Sequence, residues 1–527
     1  MRTGKVAALA VVLLSTASAA TPLRTNRQPD AAAILVTEGT ISSIQSALRQ
    51  RRVSCVEIVT AYLERIARLD RMRGLNAITT LNPEALQDAA RLDEALRTGH
   101  SLGSLFCVPV LVKDNIDTRG LATTGGSMAM LHNVPQEDAF IVRNLHAAGA
   151  IVLAKTNMAE WAFSPRDTVS SSRGVTTNAY DQTRTPAGSS GGTAAGIAAS
   201  FGLVGLGTDT GNSVRGPSAY AALVGLRPTL GLVSRGGIIP LELDRDTAGP
   251  ITRTVEDNAR LLNVLARRDP ADPLTADPAY RRPPDYTKFL RADALNGARI
   301  GVVRALAPPA ETDPQVLASF NGAIESLRQG GAIIVDPVTI PNLEAHLDNG
   351  YYCARFAFDA NTYLRSAGHP GAPRDIRAIF AAGSYSPHSK SDFERFLKGS
   401  AANPQDAKPG CPLYLAHPGR RAMLHDLEWA MDAARVDVLV YPTWLNLPPR
   451  LEAAVVAYRG DNSQLLSPPT GMPAITLPCG FAQGLPIGLQ WLGRRFDEGR
   501  LYGLAYAFEQ RTHWRRPPAG FEPVRAE

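Results

Sequence analysis

Charge blocks, internal repeats and low-complexity linkers are all missing from these 527 residues. Without a Pro/Ser-rich hinge to divide it, the chain reads as one large domain rather than the several that its length alone suggests. Basic residues come only in short doublets, such as Arg51-Arg52, Arg267-Arg268, Arg494-Arg495 and Arg515-Arg516. A nucleic-acid binder concentrates them on one face, so the formal charge of +6 reads as a solvated surface and no nucleic-acid partner is expected. No uncharged run reaches the ~20 residues that cross a bilayer, which argues against membrane insertion. The nine histidines form no cluster with carboxylates, and the five cysteines show neither CxxC nor metal spacing, so no metal or cofactor is expected. No glycine-lysine-serine/threonine ending marks a phosphate-binding loop. What is present is ordinary: 44% apolar and 20% charged residues, enough to fill a large core.

The first residues carry a message of their own. Arg2 and Lys5 precede the apolar run Val6 to Leu14, and Ala17-Ser18-Ala19 offers small residues for cleavage. This pattern predicts a signal peptide over 1–19, cleaved near Ala19, and hence an exported protein, periplasmic or secreted. A flexible segment is expected over 20–39. Export permits disulfides, and Cys353 and Cys411 share the most irregular region, so a bridge between them is open. Cys55, Cys107 and Cys479 lie in apolar, regular contexts and read as buried thiols.

Periodicity supplies the elements. Ser54 and Glu57 form a capping box, followed by Ile58, Val59, Tyr62, Leu63 and Ile66 at helical spacing. Helix signals begin already at Thr40, and a third helix is expected from about Glu84 to Arg97. Val108 to Val112, apolar throughout, predicts a buried strand that delivers Lys113 at its end. Helix 139–148, strand 151–154, helix 193–200 and strand 203–206 follow, a rhythm that implies a parallel or mixed sheet. The pattern returns with strand 299–303, helix 314–328 and strand 332–335. After a weakly periodic, aromatic-rich stretch over 343–421 come strands 436–441, 474–477 and 487–492 and a closing helix over 498–510.

One stretch stands apart. Thr185 to Pro228 sets Ser189 and Ser190 among glycines, runs through an alanine-rich helix and a β-branched strand, and closes on Gly207-Thr208-Asp209-Thr210-Gly211-Asn212-Ser213-Val214-Arg215. So many small residues allow backbone to approach backbone or a ligand closely. Together with Val112-Lys113-Asp114-Asn115 and Pro469-Thr470-Gly471-Met472-Pro473-Ala474-Ile475, this stretch resembles the amidase signature family of serine hydrolases. The resemblance implies a single α/β domain over 40–520, a large twisted mixed sheet covered by helices, with 343–421 a variable helical and loop region near the active-site mouth. It assigns Ser213 as nucleophile, Ser189 as a proton relay following a non-proline cis peptide, and Lys113 as base. Backbone amides of Thr210, Gly211, Asn212 and Ser213 become the oxyanion donors, and Asp209 with Arg215 props their loop. Many members carry glycine where Asn212 stands. Asparagine tolerates positive φ better than most residues, so the loop is expected to survive the change.

Elementary chemistry agrees with the assignment. A lysine at the end of an apolar strand is desolvated, which disfavours its charged form and lets it accept a proton. Gly188-Ser189-Ser190-Gly191-Gly192 also satisfies G-x-S-x-G, but the strand that motif requires is absent, since Asp181 to Ala187 reads DQTRTPA. The expected activity is cleavage of small-molecule carboxamide C–N bonds to a carboxylic acid and ammonia or an amine, by a monomer or homodimer. Two alternatives stay open: a glutamine amidotransferase A-type subunit, which export argues against, and an esterase or carbamate hydrolase on the same scaffold.

Overall fold

Val108–Lys113 is buried at every position, as a strand covered on both faces must be. In the computed structural model, which describes residues 31–522 apart from 101, 278, 367, 401–402, 405–410 and 412–415, it is the second of thirteen strands. They are β1 (Ile78–Leu81), β2 (Val108–Lys113), β3 (Ala150–Thr156), β4 (Thr168–Ser170), β5 (Gly174–Thr176), β6 (Val204–Asp209), β7 (Val224–Arg227), β8 (Thr247–Thr252), β9 (Arg299–Val302), β10 (Ile333–Val335), β11 (Val438–Pro442), β12 (Ala474–Ala482) and β13 (Leu485–Leu492). Eleven of them form one sheet in the order β1-β3-β2-β6-β8-β7-β12-β13-β11-β9-β10, and β4 pairs with β5 alone. β2 runs parallel to both β3 and β6, and β9 parallel to β10 and β11, while the strands between alternate in direction. The sheet is therefore mixed, as expected.

Helices Gly191–Ala198, Val255–Leu265, Pro314–Gln329 and Glu498–Thr512 pack on this sheet. The first is built wholly of buried, mostly small residues. A Cβ at Gly196 would lie 2.8 Å from a Leu111 methyl, so glycine lets this helix settle onto β2. The described residues of 343–421 include short helices, among them Phe356–Arg365, Ile376–Ala381 and Lys390–Leu397. Phe356, Phe393 and Ile376 join Trp161 and Phe163 in a separate apolar cluster, so this region forms a cap over the loop that follows β3. No helix among the described residues is long and apolar enough to cross a membrane.

The predicted signal peptide and its cleavage site lie outside the described residues. The flexibility expected up to residue 39 is corrected over 31–39: Ala31–Val36 is a helix that buries Ala32 and Val36. Glu38 beyond it pairs with Arg515 at 2.7 Å. The reading of Cys55 and Cys107 as thiols is also corrected. They form a disulfide with a Cα–Cα separation of 5.8 Å. Cys55 starts the helix that the capping box announces, Cys107 immediately precedes β2, and packing of that helix beside the sheet joins residues that sequence spacing leaves unrelated. Cys353 and Cys411 are bridged as well. Among the described residues only Cys479 is a free thiol; it is buried, and desolvation pushes it up to about 12.

Candidate active site

β2 and β6 lie side by side, and each ends on a polar residue at the same edge of the sheet. β2 ends on Lys113, fully buried, whose Nζ donates to Ser189 Oγ at 2.7 Å and to Thr208 Oγ1 at 2.8 Å. Thr208 is held in turn by Asn115 Nδ2 at 3.1 Å. Burial pulls the Lys113 ammonium down to about 7, against the opposing charges of Asp209 and Asp246. An amine at this value is available in its neutral form near neutral pH.

Ser189 follows the non-proline cis peptide that the resemblance implied. Its loop is pressed against the strand-connecting segment beneath it. A Cβ at Gly188 would sit 2.3 Å from the Asp167 carbonyl, and one at Gly192 would sit 2.2 Å from the Asn157 carbonyl. Those two glycines are therefore fixed by close approach, since any side chain would displace backbone. The Ser189 carbonyl accepts from Ala159 N, and Ser190 N donates to the Ser213 carbonyl at 3.3 Å, which ties the two serine loops together.

Ser213 sits on the turn after β6. Its hydroxyl donates to Asn212 Oδ1 at 3.4 Å and makes no hydrogen bond to Ser189. The structure thus joins Lys113 directly to Ser189 and brings Ser213 alongside through the backbone. Asn212 does not use positive φ, contrary to the reason expected for its tolerance. Its Nδ2 donates instead to the Pro165 carbonyl at 3.3 Å, which aims Oδ1 at Ser213. The N–H groups of Thr210, Gly211, Asn212 and Ser213 donate to no acceptor among the described residues. All four residues line an open cleft of about 360 Å³.

Asp209 and Arg215 hold this turn. Arg215 grips the Asp209 carboxylate through Nε and Nη2, both at 3.1 Å, and also donates to the Gly211 carbonyl at 2.6 Å. Asp209 accepts from Val214 N as well. A second guanidinium, Arg227 on β7, reaches Asp209 Oδ1 at 2.9 Å. All three side chains are fully buried. Burial alone would raise the Asp209 carboxyl, but Arg215 and Arg227 outweigh it and hold the group well below the usual carboxylate range.

The far wall of the cleft comes from later in the chain. Tyr352, Asp392, Arg395, Phe396, Tyr458 and Gln464 line it together with Ser213. Asp392 bridges Arg166 at 2.7 Å and Arg395 at 3.0 Å, so the cap helix Lys390–Leu397 is clipped to the loop below Ser189. Phe163 and Phe396 stack with centroids 4.9 Å apart. Sequence reading missed Arg227, Thr208, Tyr458 and Gln464, while Tyr352, Asp392, Arg395 and Phe396 fall in the 343–421 stretch expected near the active-site mouth. A buried arginine in the otherwise apolar Val224–Arg227 was a usable signal, because such a charge requires an anionic partner; nothing local marked Tyr458 or Gln464.

A model of the family described as Amidase matches residues 57–502 of the chain. The A subunit of glutamyl-tRNA(Gln) amidotransferase from Synechococcus sp. (strain JA-2-3B'a(2-13)) is 35% identical over 497 residues, which cover 92% of this chain and 94% of that one. Among solved structures, native peptide amidase from Stenotrophomonas maltophilia matches with a TM-score of 0.81 at 34% identity, covering 91% of this chain and 98% of its own. An amidase family protein from Bacillus anthracis str. Ames matches equally well in shape, with a TM-score of 0.81 at 29% identity over 92% of this chain and 93% of its own.

Proposed function

The chain belongs to the amidase family, and from that premise we propose that Lys113, Ser189 and Ser213 act in series to hydrolyse small carboxamides. The observation that carries this reading is a fully buried lysine, low enough in pKa to be neutral, 2.7 Å from the hydroxyl of Ser189. The Ser213 hydroxyl turns from Asn212 to Ser189 and gives up its proton, while Ser189 passes its own to Lys113. The freed oxygen bonds to the substrate carbonyl carbon, and the amides of Thr210 to Ser213 receive the developing oxyanion. Lys113 returns its proton through Ser189 to the nitrogen, the C–N bond breaks, and ammonia or an amine departs. Water then attacks the acyl group on Ser213 by the same relay. Every step balances with protein groups and water.

Covalent chemistry on a single serine is the test. A fluorophosphonate probe is expected to add one label per chain, on Ser213, and none to the Ser213→Ala variant. Labelling elsewhere, or undiminished amide turnover by that variant, would remove the scheme. Identity with the amidotransferase relative is consistent with the same hydrolytic step, but the basic and apolar N-terminus favours a stand-alone exported enzyme. Sequencing of the mature protein from a native-type host should then find an N-terminus near Ala20; a chain that stays in the cytoplasm with Met1 in place would count against export. Esters and carbamates suit the same nucleophile, and a substrate panel orders them.

A further inference from the structure

Gln464 sits where the cleft wall meets the proposed oxyanion loop, and the orientation of its amide is forced. Asp461, buried behind it, accepts from Ser463 N at 3.2 Å, from Tyr458 Oη at 3.0 Å and from Gln464 Nε2 at 3.1 Å. Burial pushes the Asp461 carboxyl up to about 6, so above that pH it is ionised and can only accept. The nitrogen end of Gln464 must therefore face Asp461, where it also donates to Tyr458 Oη at 2.5 Å. The carbonyl end is left facing the cleft. It lies over the Gly211 backbone so closely that a Cβ there would be 2.6 Å from Oε1. Tyr352 Oη occupies one of its lone pairs at 3.1 Å, and a side-chain carbonyl has two.

We propose that Gln464 Oε1, aimed by Asp461, selects substrates whose acyl group carries an N–H next to the scissile carboxamide, as in an N-acylated amino-acid amide. The inference deepens the hydrolase reading above and rests on it. A carbonyl oxygen held by the amides of Thr210 to Ser213 places its α-carbon substituent within reach of an acceptor above Gly211. An acyl chain with no donor there would desolvate Gln464 and leave its lone pair unmatched, which is a standing penalty against plain alkyl amides. Phe163 and Phe396, stacked in the same cleft, offer an apolar surface for the rest of the acyl group.

The test compares N-acetyl-leucinamide with its counterpart in which an ester oxygen replaces the acetylated N–H, both hydrolysed at the terminal carboxamide. Wild type is expected to favour the N–H compound about tenfold in kcat/KM. Gln464→Met keeps the volume and removes the acceptor, and should bring the ratio to about one. Asp461→Asn frees the Gln464 amide to reverse, and should lower the ratio as well. General loosening of the site slows both substrates and cancels in the ratio, as does any contact of Gln464 with the shared leaving amide. A wild-type ratio near one, or a preference that survives in Gln464→Met, overturns the proposal while leaving the hydrolase reading intact. Failure to hydrolyse either compound would strike the hydrolase reading itself and take this inference with it.

Discussion

Replacing Lys113 by alanine is expected to lower kcat/KM by roughly 10²–10⁴-fold, the range of a lost general base. Lys113→Arg should be as inactive, because a guanidinium keeps its proton. In the wild type, kcat/KM should rise with pH along a limb centred near 7, where Lys113 loses its proton and becomes able to accept the one that Ser189 passes on. The sign follows from burial: desolvation lowers the ammonium from 10.5, so the group is charged and useless below about 7 and neutral above it. The same burial has a stability consequence. Between about 7 and 10 the unfolded chain binds a proton here that the folded chain does not, so this residue disfavours folding at neutral pH by an amount that shrinks as pH rises. Lys113→Met removes that conflict with little change in volume, and its thermal midpoint is expected at or above the wild-type value while turnover is lost. Wild-type rates in either charge-neutral variant, measured alongside unchanged melting, would end the role given to Lys113.

The second large effect concerns Asp209. Asp209→Asn keeps the shape but leaves Arg215 and Arg227 buried together without their anion. Breaking a buried ion pair from one side costs about 3–5 kcal/mol. With an unfolding entropy of roughly 2.1 cal/mol/K per residue, a chain of this size should lose about 4 °C in thermal midpoint. Activity should fall further than stability, by roughly 10²-fold, because Arg215 also fixes the Gly211 carbonyl and with it the direction of the neighbouring amides. Differential scanning calorimetry and initial rates on one preparation separate the two. A variant that melts like the wild type and turns over normally would show that the triad of charges is ornamental to the loop.

Much of this site was legible because its parts are local. Lys113 ends an apolar strand, the glycines around Ser189 announce close backbone approach, and Asp209 to Arg215 carries both the turn of the proposed nucleophile and the pair that props it. The strands that follow Ser213 were harder. β8 contains Gly249 and Pro250 within Thr247–Thr252, residues that argue against a central strand, yet its neighbours pair with it all the same. β7 is only four residues long, too short for its alternation to register. Cys55 and Cys107 failed for a different reason: their pairing depends on how a helix lies beside the sheet, which no spacing rule contains. Gln464 and Tyr352 are distant in sequence from each other and from the serines, and only the folded chain makes them neighbours.

The strand order has one more consequence. Lys113, Ser189, Ser213 and the Asp209, Arg215 and Arg227 charges behind them all come from residues 113–227, on β2, β6 and β7 and the loops and turns beside them. The opposite wall of the cleft is drawn from residues 352 to 464, on separately packed elements. Apart from Phe163, stacked on Phe396, the side chains proposed to admit substrate therefore lie in the later half of the chain, and those proposed to cut the bond in the earlier half. Drift in the later half can retune selectivity while bond-breaking stays untouched, a division that would let one scaffold diversify without first losing its reaction.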